Sequence, residues 1–177
     1  MTDDVAITGI GCVTPYGRGY QLFCEGVATG RDVIGPISRF DATPYLSNAA
    51  GEVPGGLVEE FLTPRLRKRT DRFTHLALLA AHDALVDAGL EVDTNVDGDR
   101  VGLSIGNALG GWEFAERELR ALWTQGPREV SPYQATAWFP TAAQGNVTIQ
   151  NAIRGPSRTF TLDRASSAYA LIDAIRL

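Results

Sequence analysis

The stretch that most constrains the fold is residues 159–177, TFTLDRASSAYALIDAIRL. It opens as an alternating, β-prone run (Thr159, Phe160, Thr161, Leu162) and turns through Asp163 and Arg164. It then enters an Ala-rich segment with Tyr169, Ile172 and Ile175 at helical intervals. A strand, a tight turn and a helix in that order form a platform on which enzymes mount a nucleophile. The turn holds one side chain clear of the backbone, and the free N–H groups of the helix start lower the pKa of a thiol placed there. In this chain the turn offers Arg164, whose guanidinium stays protonated and cannot attack. The sequence therefore predicts a nucleophile platform without a nucleophile. The helical pattern runs to Leu177 with no Gly or Asn to close it, so the chain is expected to stop within a fold.

The segments upstream supply what such a unit packs against. Residues 5–13, VAITGIGCV, read as a buried parallel strand ending in the turn Thr14-Pro15-Tyr16-Gly17. Gly9 and Gly11 make a G-x-G, but Thr14 stands where a dinucleotide fingerprint needs its third glycine. The two glycines are instead expected to allow close backbone packing. Residues 18–30 are expected to form a helix with Leu22, Phe23 and Val27 inward, and residues 30–56 a surface excursion rich in Gly, Pro, Asp and Ser. Thr70-Asp71 caps a helix whose predicted apolar face is Phe73, Leu76, Ala77, Ala80, Ala84, Leu85 and Ala88, closed by Gly89. His75 and His82 share a face of that helix with no cysteine or carboxylate at catalytic spacing, and both read as structural.

Residues 101–106 form a second apolar strand, followed by a Gly-rich turn and an amphipathic helix over NALGGWEFAERELRALW. Residues 126–145 are interrupted by prolines and hold Tyr133, Trp138 and Phe139, and VTIQNAI is equally compatible with helix or strand. Strands alternating with helices imply an α/β domain, with a mixed, mostly parallel sheet flanked by helices.

Charge and composition narrow the function classes. A formal charge of −5 argues against non-specific nucleic-acid binding. No apolar run approaches the ~18 residues of a membrane span, and MTDDVAITG has no basic region of a secretory signal, which places the chain in the cytoplasm. Cys12 and Cys24 lack metal-ligand spacing and fit a reduced compartment, so no metal is expected. The run PRLRKR, with Arg65, Arg67, Lys68 and Arg69, is either a solvated face or a docking patch for an acidic partner.

The start VAITGIGCVTPYG, the helix DRFTHLALLAAHDAL, the segment AWFPTAAQGNVTIQNAIRGPS and the final strand–turn–helix resemble the N-terminal part of β-ketoacyl-acyl-carrier-protein synthases, condensing enzymes of the thiolase fold. The resemblance covers residues 1–177 in order and implies one partial, N-terminal-half thiolase-like domain. GGWEFAERELRALW, followed by GP and PYQATAWF, is most similar to chain-length factors, the ketosynthase β subunits of type II polyketide synthases. Those subunits have lost the active-site cysteine and pair with an active ketosynthase to shape the tunnel that holds the growing chain.

Where the family reads T-A-C-A-S, this chain reads Leu162-Asp163-Arg164-Ala165-Ser166, so the resemblance places Arg164 at the nucleophile position. It implies tunnel-lining roles for Trp112, Ala115 and Leu119, for which periodicity alone offers ordinary core contacts. It also puts the strand at 158–162 at a dimer interface, and the PRLRKR run against an acyl carrier protein. The catalytic histidines of the family lie in its second half, and neither His75 nor His82 matches them. No catalytic residue and no cofactor is therefore expected, the phosphopantetheine arm arriving on the carrier protein. The implied partners are a catalytic ketosynthase and the carrier protein. Two other readings stay open: one piece of a split subunit completed by a separate C-terminal chain, and a truncated remnant without its own function.

Overall fold

A computed structural model describes residues 4–177. The first three residues of the N-terminal stretch and of the expected domain 1–177 lie outside them. Helix α1 (Tyr20–Ala28) follows a short antiparallel pair, β1 (Val13–Thr14) and β2 (Gly17–Arg18). A second antiparallel pair, β3 (Ile34–Pro36) and β4 (Ala49–Gly51), lies within the expected surface excursion. The Glu52 carboxylate, just past β4, accepts from the Ser38 and Arg39 amides and the Ser38 hydroxyl in the connection that follows β3. Helices α2 (Leu57–Phe61), α3 (Pro64–Arg69) and α4 (Arg72–Asp87) come next. Strand β5 (Leu103–Gly106) leads to α5 (Trp112–Thr124), α6 (Gln134–Ala137) and α7 (Ala142–Gln150). Strand β6 (Ser157–Phe160) and α8 (Ser166–Arg176) complete the order.

Helix α4 is the axis of the packing. The Asp71 side chain accepts from Phe73 N at 3.0 Å to start it. Gly89, at φ +65°, ends it, with Leu90 N bonded to Leu85 O and Gly89 N to Val86 O, a Schellman closure. Its Leu78 and Leu79 meet Val58 of α2, Leu62, Val147 of α7 and Ile153 in the main core, where Leu79 is 0% and Val147 1% exposed. Residues 147–153, ambiguous in the sequence, are thus largely the end of helix α7.

The inward face of α4 differs from the sequence pattern. Thr74, His75, Leu78 and Leu79 are buried, while Phe73, Leu76, Ala80, Ala84 and Leu85 are half-buried. The reason is that α4 is covered from two directions. The alanine side receives the backbone of residues 9–11: a Cβ at Gly9 would stand 2.6 Å from Ala88 N, and one at Gly11 2.8 Å from Ala84 N. Gly9 and Gly11 are there for close packing, as the sequence implied.

The first expected strand is not one. Residues 5–12 carry no ladder, and Val5, Ile7 and Ile10 are exposed; Ile10 N donates to Asp87 Oδ2 at 2.9 Å instead. An apolar run signals burial but not the neighbour that pairs with it, and among the described residues no strand lies alongside. Helix α1 departs similarly. Leu22, Phe23 and Val27 are exposed, and the helix turns Gly26 inward beneath the Tyr16 ring.

Among the described residues the one parallel ladder joins β5 and β6, in register from Leu103 opposite Ser157 to Gly106 opposite Phe160, beside an isolated parallel bridge between Val92 and Val96. Helices α7 and α8 pack on the ladder, and the start of α8 crosses Gly106 so closely that a Cβ would meet the Ser166–Ser167 backbone. The fold is a mixed α/β arrangement of helices on small sheets. Among the described residues no helix is long and apolar enough to cross a membrane.

Candidate functional site

The site is built on the β6–α8 connection. Beyond Phe160 the chain enters a short 3-10 turn, Asp163–Ala165, with Asp163 at φ +52°. That conformation costs a non-glycine residue roughly 1–2 kcal/mol and is kept only where the surroundings enforce it. Ser166 does so: its hydroxyl accepts from Leu162 N at 2.8 Å and donates to Asp163 O at 2.7 Å, closing the turn on itself. Helix α8 starts at Ala165 with no side-chain cap. Arg164 stands exposed in this turn, between β6 and α8.

Two neighbours hold the platform. Asp173 of α8 accepts from Ser104 Oγ of β5 and from the Arg158 guanidinium of β6, and these bonds keep its carboxyl below the usual range. Asn107, just past β5, donates to Pro140 O at 2.8 Å and accepts from Gly110 N at 3.0 Å and Leu109 N at 3.2 Å. It thereby joins the end of β5 to the aromatic segment and shapes the turn that launches α5.

On α5 the three expected tunnel residues differ in surroundings. Trp112 is 51% exposed and stacks edge-on against Trp138 (centroids 6.5 Å apart), which meets Phe139 in the same way at 5.5 Å. Ala115 is buried and Leu119 half-buried. Trp112, Glu113, Glu116 and Arg120 line one wall of a cleft of about 990 Å³ whose other wall includes Phe40 and Tyr45. The Arg39–Glu113 ion pair, 2.7 Å, links the two walls. Spacing puts 112, 115 and 119 on one helix face, but only Trp112 among them lines this cleft.

The basic run divides in the same way. Thr63 caps α3 through Leu66 N with Pro64 in its first turn. Arg65 and Lys68 are exposed. Arg67 is half-buried, 3.6 Å from Glu59, with Nε unpartnered among the described residues, and Arg69 lies over the Tyr133 ring at 4.9 Å. Arg65 and Arg69 line one cleft and Arg67 another, so the run does not present one patch.

Both histidines pack within the protein. Thr70 Oγ1 donates to Leu66 O at 2.7 Å, so it accepts from His75 Nε2 at 2.8 Å. Burial lowers the His75 pKa, and the nearby Asp71 only partly offsets this. His82 lies against the Phe61 ring, centroids 4.8 Å apart. Burial and the neighbouring Cys24 raise the Cys12 thiol. Among the described residues no group of three or more His, Cys, Asp and Glu is placed to hold a metal ion.

Sequence reasoning missed the buried polar pair that fixes α5. Asp71 accepts from Phe114 N at 2.6 Å, and Glu118 accepts from Ser131 N at 2.7 Å. One signal was available: Gly111 precedes α5 and has no side chain to cap it, so the acceptor had to come from elsewhere.

A strand–turn–helix platform set on a parallel pair, with helices packed on it, defines a thiolase-like condensing-enzyme half-fold. The model of the beta-ketoacyl synthase N-terminal domain matches residues 2–177, and the chain belongs to that family. It is 38% identical over 172 residues to the actinorhodin polyketide putative beta-ketoacyl synthase 2 of Streptomyces coelicolor, covering 97% of this chain and 42% of the relative. It is 39% identical over 175 residues to the tetracenomycin polyketide synthase ketoacyl synthase beta subunit of Streptomyces glaucescens, covering 98% and 42%.

Among solved structures, the ishigamide ketosynthase/chain length factor superposes with a TM-score of 0.79 at 30% identity, over 97% of this chain and 48% of that one. A type II PKS acyl-carrier protein in complex with its ketosynthase bound to the hexaketide gives 0.79 at 29% identity, over 99% and 47%. The chain spans about two-fifths of the length of the curated relatives it matches.

Proposed function

We propose that the chain belongs to a non-catalytic, chain-length-factor-like subunit that pairs with a catalytic ketosynthase in type II polyketide or fatty-acyl biosynthesis, in the cytoplasm. The observation that carries this reading is Arg164 in the turn between β6 and α8. Condensation requires a nucleophile that forms and releases a thioester, a group that promotes decarboxylation, and N–H donors for the developing oxyanion. A guanidinium can do neither of the first two. At the start of α8 the amides of Ala165 and Ser166 are taken up by Leu162 O and Asp163 O within the turn.

In this role the subunit contributes shape. The acyl chain arrives on the phosphopantetheine arm of an acyl carrier protein, and the end of its tunnel is set by side-chain volume on α5. Trp112 is the bulky residue that lines the cleft there, with Ala115 buried behind it and Leu119 half-buried one turn further on. The carrier protein, being acidic, meets the exposed Arg65 and Lys68 of α3, with Arg69 on the same cleft as Arg65 and Arg67 on another. The basic charge acts on association rate more than on affinity.

Co-expression of the full-length protein with a ketosynthase bearing an intact cysteine, followed by light scattering, is the test. A stable one-to-one complex is expected; a folded protein that ignores the ketosynthase would contradict the reading. Reversing charge at Arg65 and Lys68 is expected to slow carrier-protein association at low salt more than reversal at Arg67. Equal rates in all variants would leave α3 a solvated face.

A second reading rests on exposed apolar side chains: Leu171, Ile172 and Ile175 on α8, and Val5, Ile7 and Ile10 in the N-terminal segment. A separate C-terminal chain packed against them would complete a split subunit. Co-purification of such a chain, and its loss on Ile172→Asp, is the matching test.

A further inference from the structure

Helix α5 begins without a cap of its own. Its N-cap, Gly111, offers no side-chain acceptor. Packing requires a glycine there, because an added Cβ would lie 2.8 Å from Trp138 Cα and 2.9 Å from Asp71 Cβ. The acceptor comes from another helix. Asp71 is the N-cap of α4; one carboxylate oxygen accepts from Phe73 N at 3.0 Å and the other from Phe114 N at 2.6 Å. Phe114 is the third residue of α5, the position a local cap would serve. A single carboxylate, 5% exposed, thus lies between the positive ends of two helices.

Geometry makes this arrangement specific to Asp. An Asn of the same shape has one acceptor oxygen, so it caps one helix and presents an NH2 to the other. Ser caps α4 well but is too short to bridge both helices. We propose that Asp71 is a positioning residue for α5: by capping both helices with one carboxylate it fixes the first turn of α5, and with it the Trp112 ring. The inference deepens the chain-length reading of Trp112 and rests on it.

The experiment uses the full-length protein in complex with its ketosynthase and compares Asp71→Asn, Asp71→Ser, Trp112→Ala and the double variants. Amide exchange at 112–115 is expected to rise about five- to ten-fold in Asp71→Ser, the loss of one cap. Exchange at 72–74 should stay close to wild type in that variant. Asp71→Asn and Asp71→Ser should shift the product lengths in the same direction as Trp112→Ala, with no further shift in the doubles. A general loss of stability would not produce that coupling. Unchanged products in both Asp71 variants, with Trp112→Ala effective, would overturn the inference alone, as would fully additive shifts. Unchanged products in Trp112→Ala would sink the chain-length reading, and this inference with it.

Discussion

Helices α4 and α8 carry comparable apolar content in sequence and meet opposite environments. Around α4, Leu78 and Leu79 are enclosed by α2, α7 and Ile153, the alanine side receives the 9–11 backbone, and each helix end is closed by its own chemistry. On α8, Ser166 and Ala170 are buried and Asp173 is tied to both strands, while Leu171, Ile172 and Ile175 remain exposed. One region stands on contacts within the described residues. The other anchors one face and presents an apolar face outward, next to the turn that displays Arg164. The difference teaches that comparable apolar content does not decide what a helix meets: α4 is enclosed by neighbours within the described residues, while one face of α8 has none there.

If that contrast holds, substitutions on the two helices should differ sharply. Leu79→Ala removes a fully buried side chain and is expected to cost about 2–5 kcal/mol. Ile172→Ala should stay within about 0.5 kcal/mol in this chain by itself. Urea denaturation of both variants measures the contrast, and equal losses would break it.

Gly11→Ala comes next. Its Cβ would press into the α4 backbone near Ala80 and Ala84, with an expected cost of about 1–3 kcal/mol on the same assay.

The pH dependence is smaller and directional. Burial lowers the His75 pKa below its ordinary 6.5, so the unfolded chain binds the proton more readily than the folded one. The contribution of neutral His75 is fully present above about pH 6.5 and is lost as pH falls from there through the lower folded-state pKa. Stability measured across this window in wild type and His75→Gln should show the slope only in wild type. An equal slope in both would assign it elsewhere.

The smallest effect is a gain. Gly145 lies inside α7 with nothing within 4 Å of an added Cβ, so Gly145→Ala should stabilise by about 0.5–1 kcal/mol. A loss there would mean that α7 is more tightly enclosed than described.

The local grammar of the fold was legible in the sequence wherever it depends on neighbours along the chain. The Asp71 cap, the Gly89 closure, the β6–turn–α8 unit and the packing role of Gly9 and Gly11 all follow from residue types and spacing. What escaped depends on partners distant in sequence. Residues 5–13 read as a strand because they are apolar, yet a strand needs a neighbour that the run itself does not specify. The inward face of α1 was misassigned because its large side chains were assumed to point inward; on α4 the predicted alanines do meet the 9–11 backbone, but Leu78 and Leu79, left off the predicted face, fill the core. On α1 the structure instead brings Gly26 to the closest contact.

The candidate site divides along the same line. Arg164 was visible in the turn, since its position is local. The separation of Trp112 from Ala115, and of Arg67 from Arg65 and Arg69, depends on what each side chain meets across the fold. The second hydrogen bond of Asp71 joins positions 43 apart and leaves only an indirect trace in the sequence, the capless Gly111.

The central claim, a ketosynthase-like body that associates without catalysing, is tested most directly by intact-protein mass spectrometry. The sample is the co-purified full-length complex after incubation with an acyl thioester. The account predicts a one-to-one complex in which the acyl mass appears on the ketosynthase partner and none on this protein. An acyl adduct on this protein, or no complex with the ketosynthase, would contradict it.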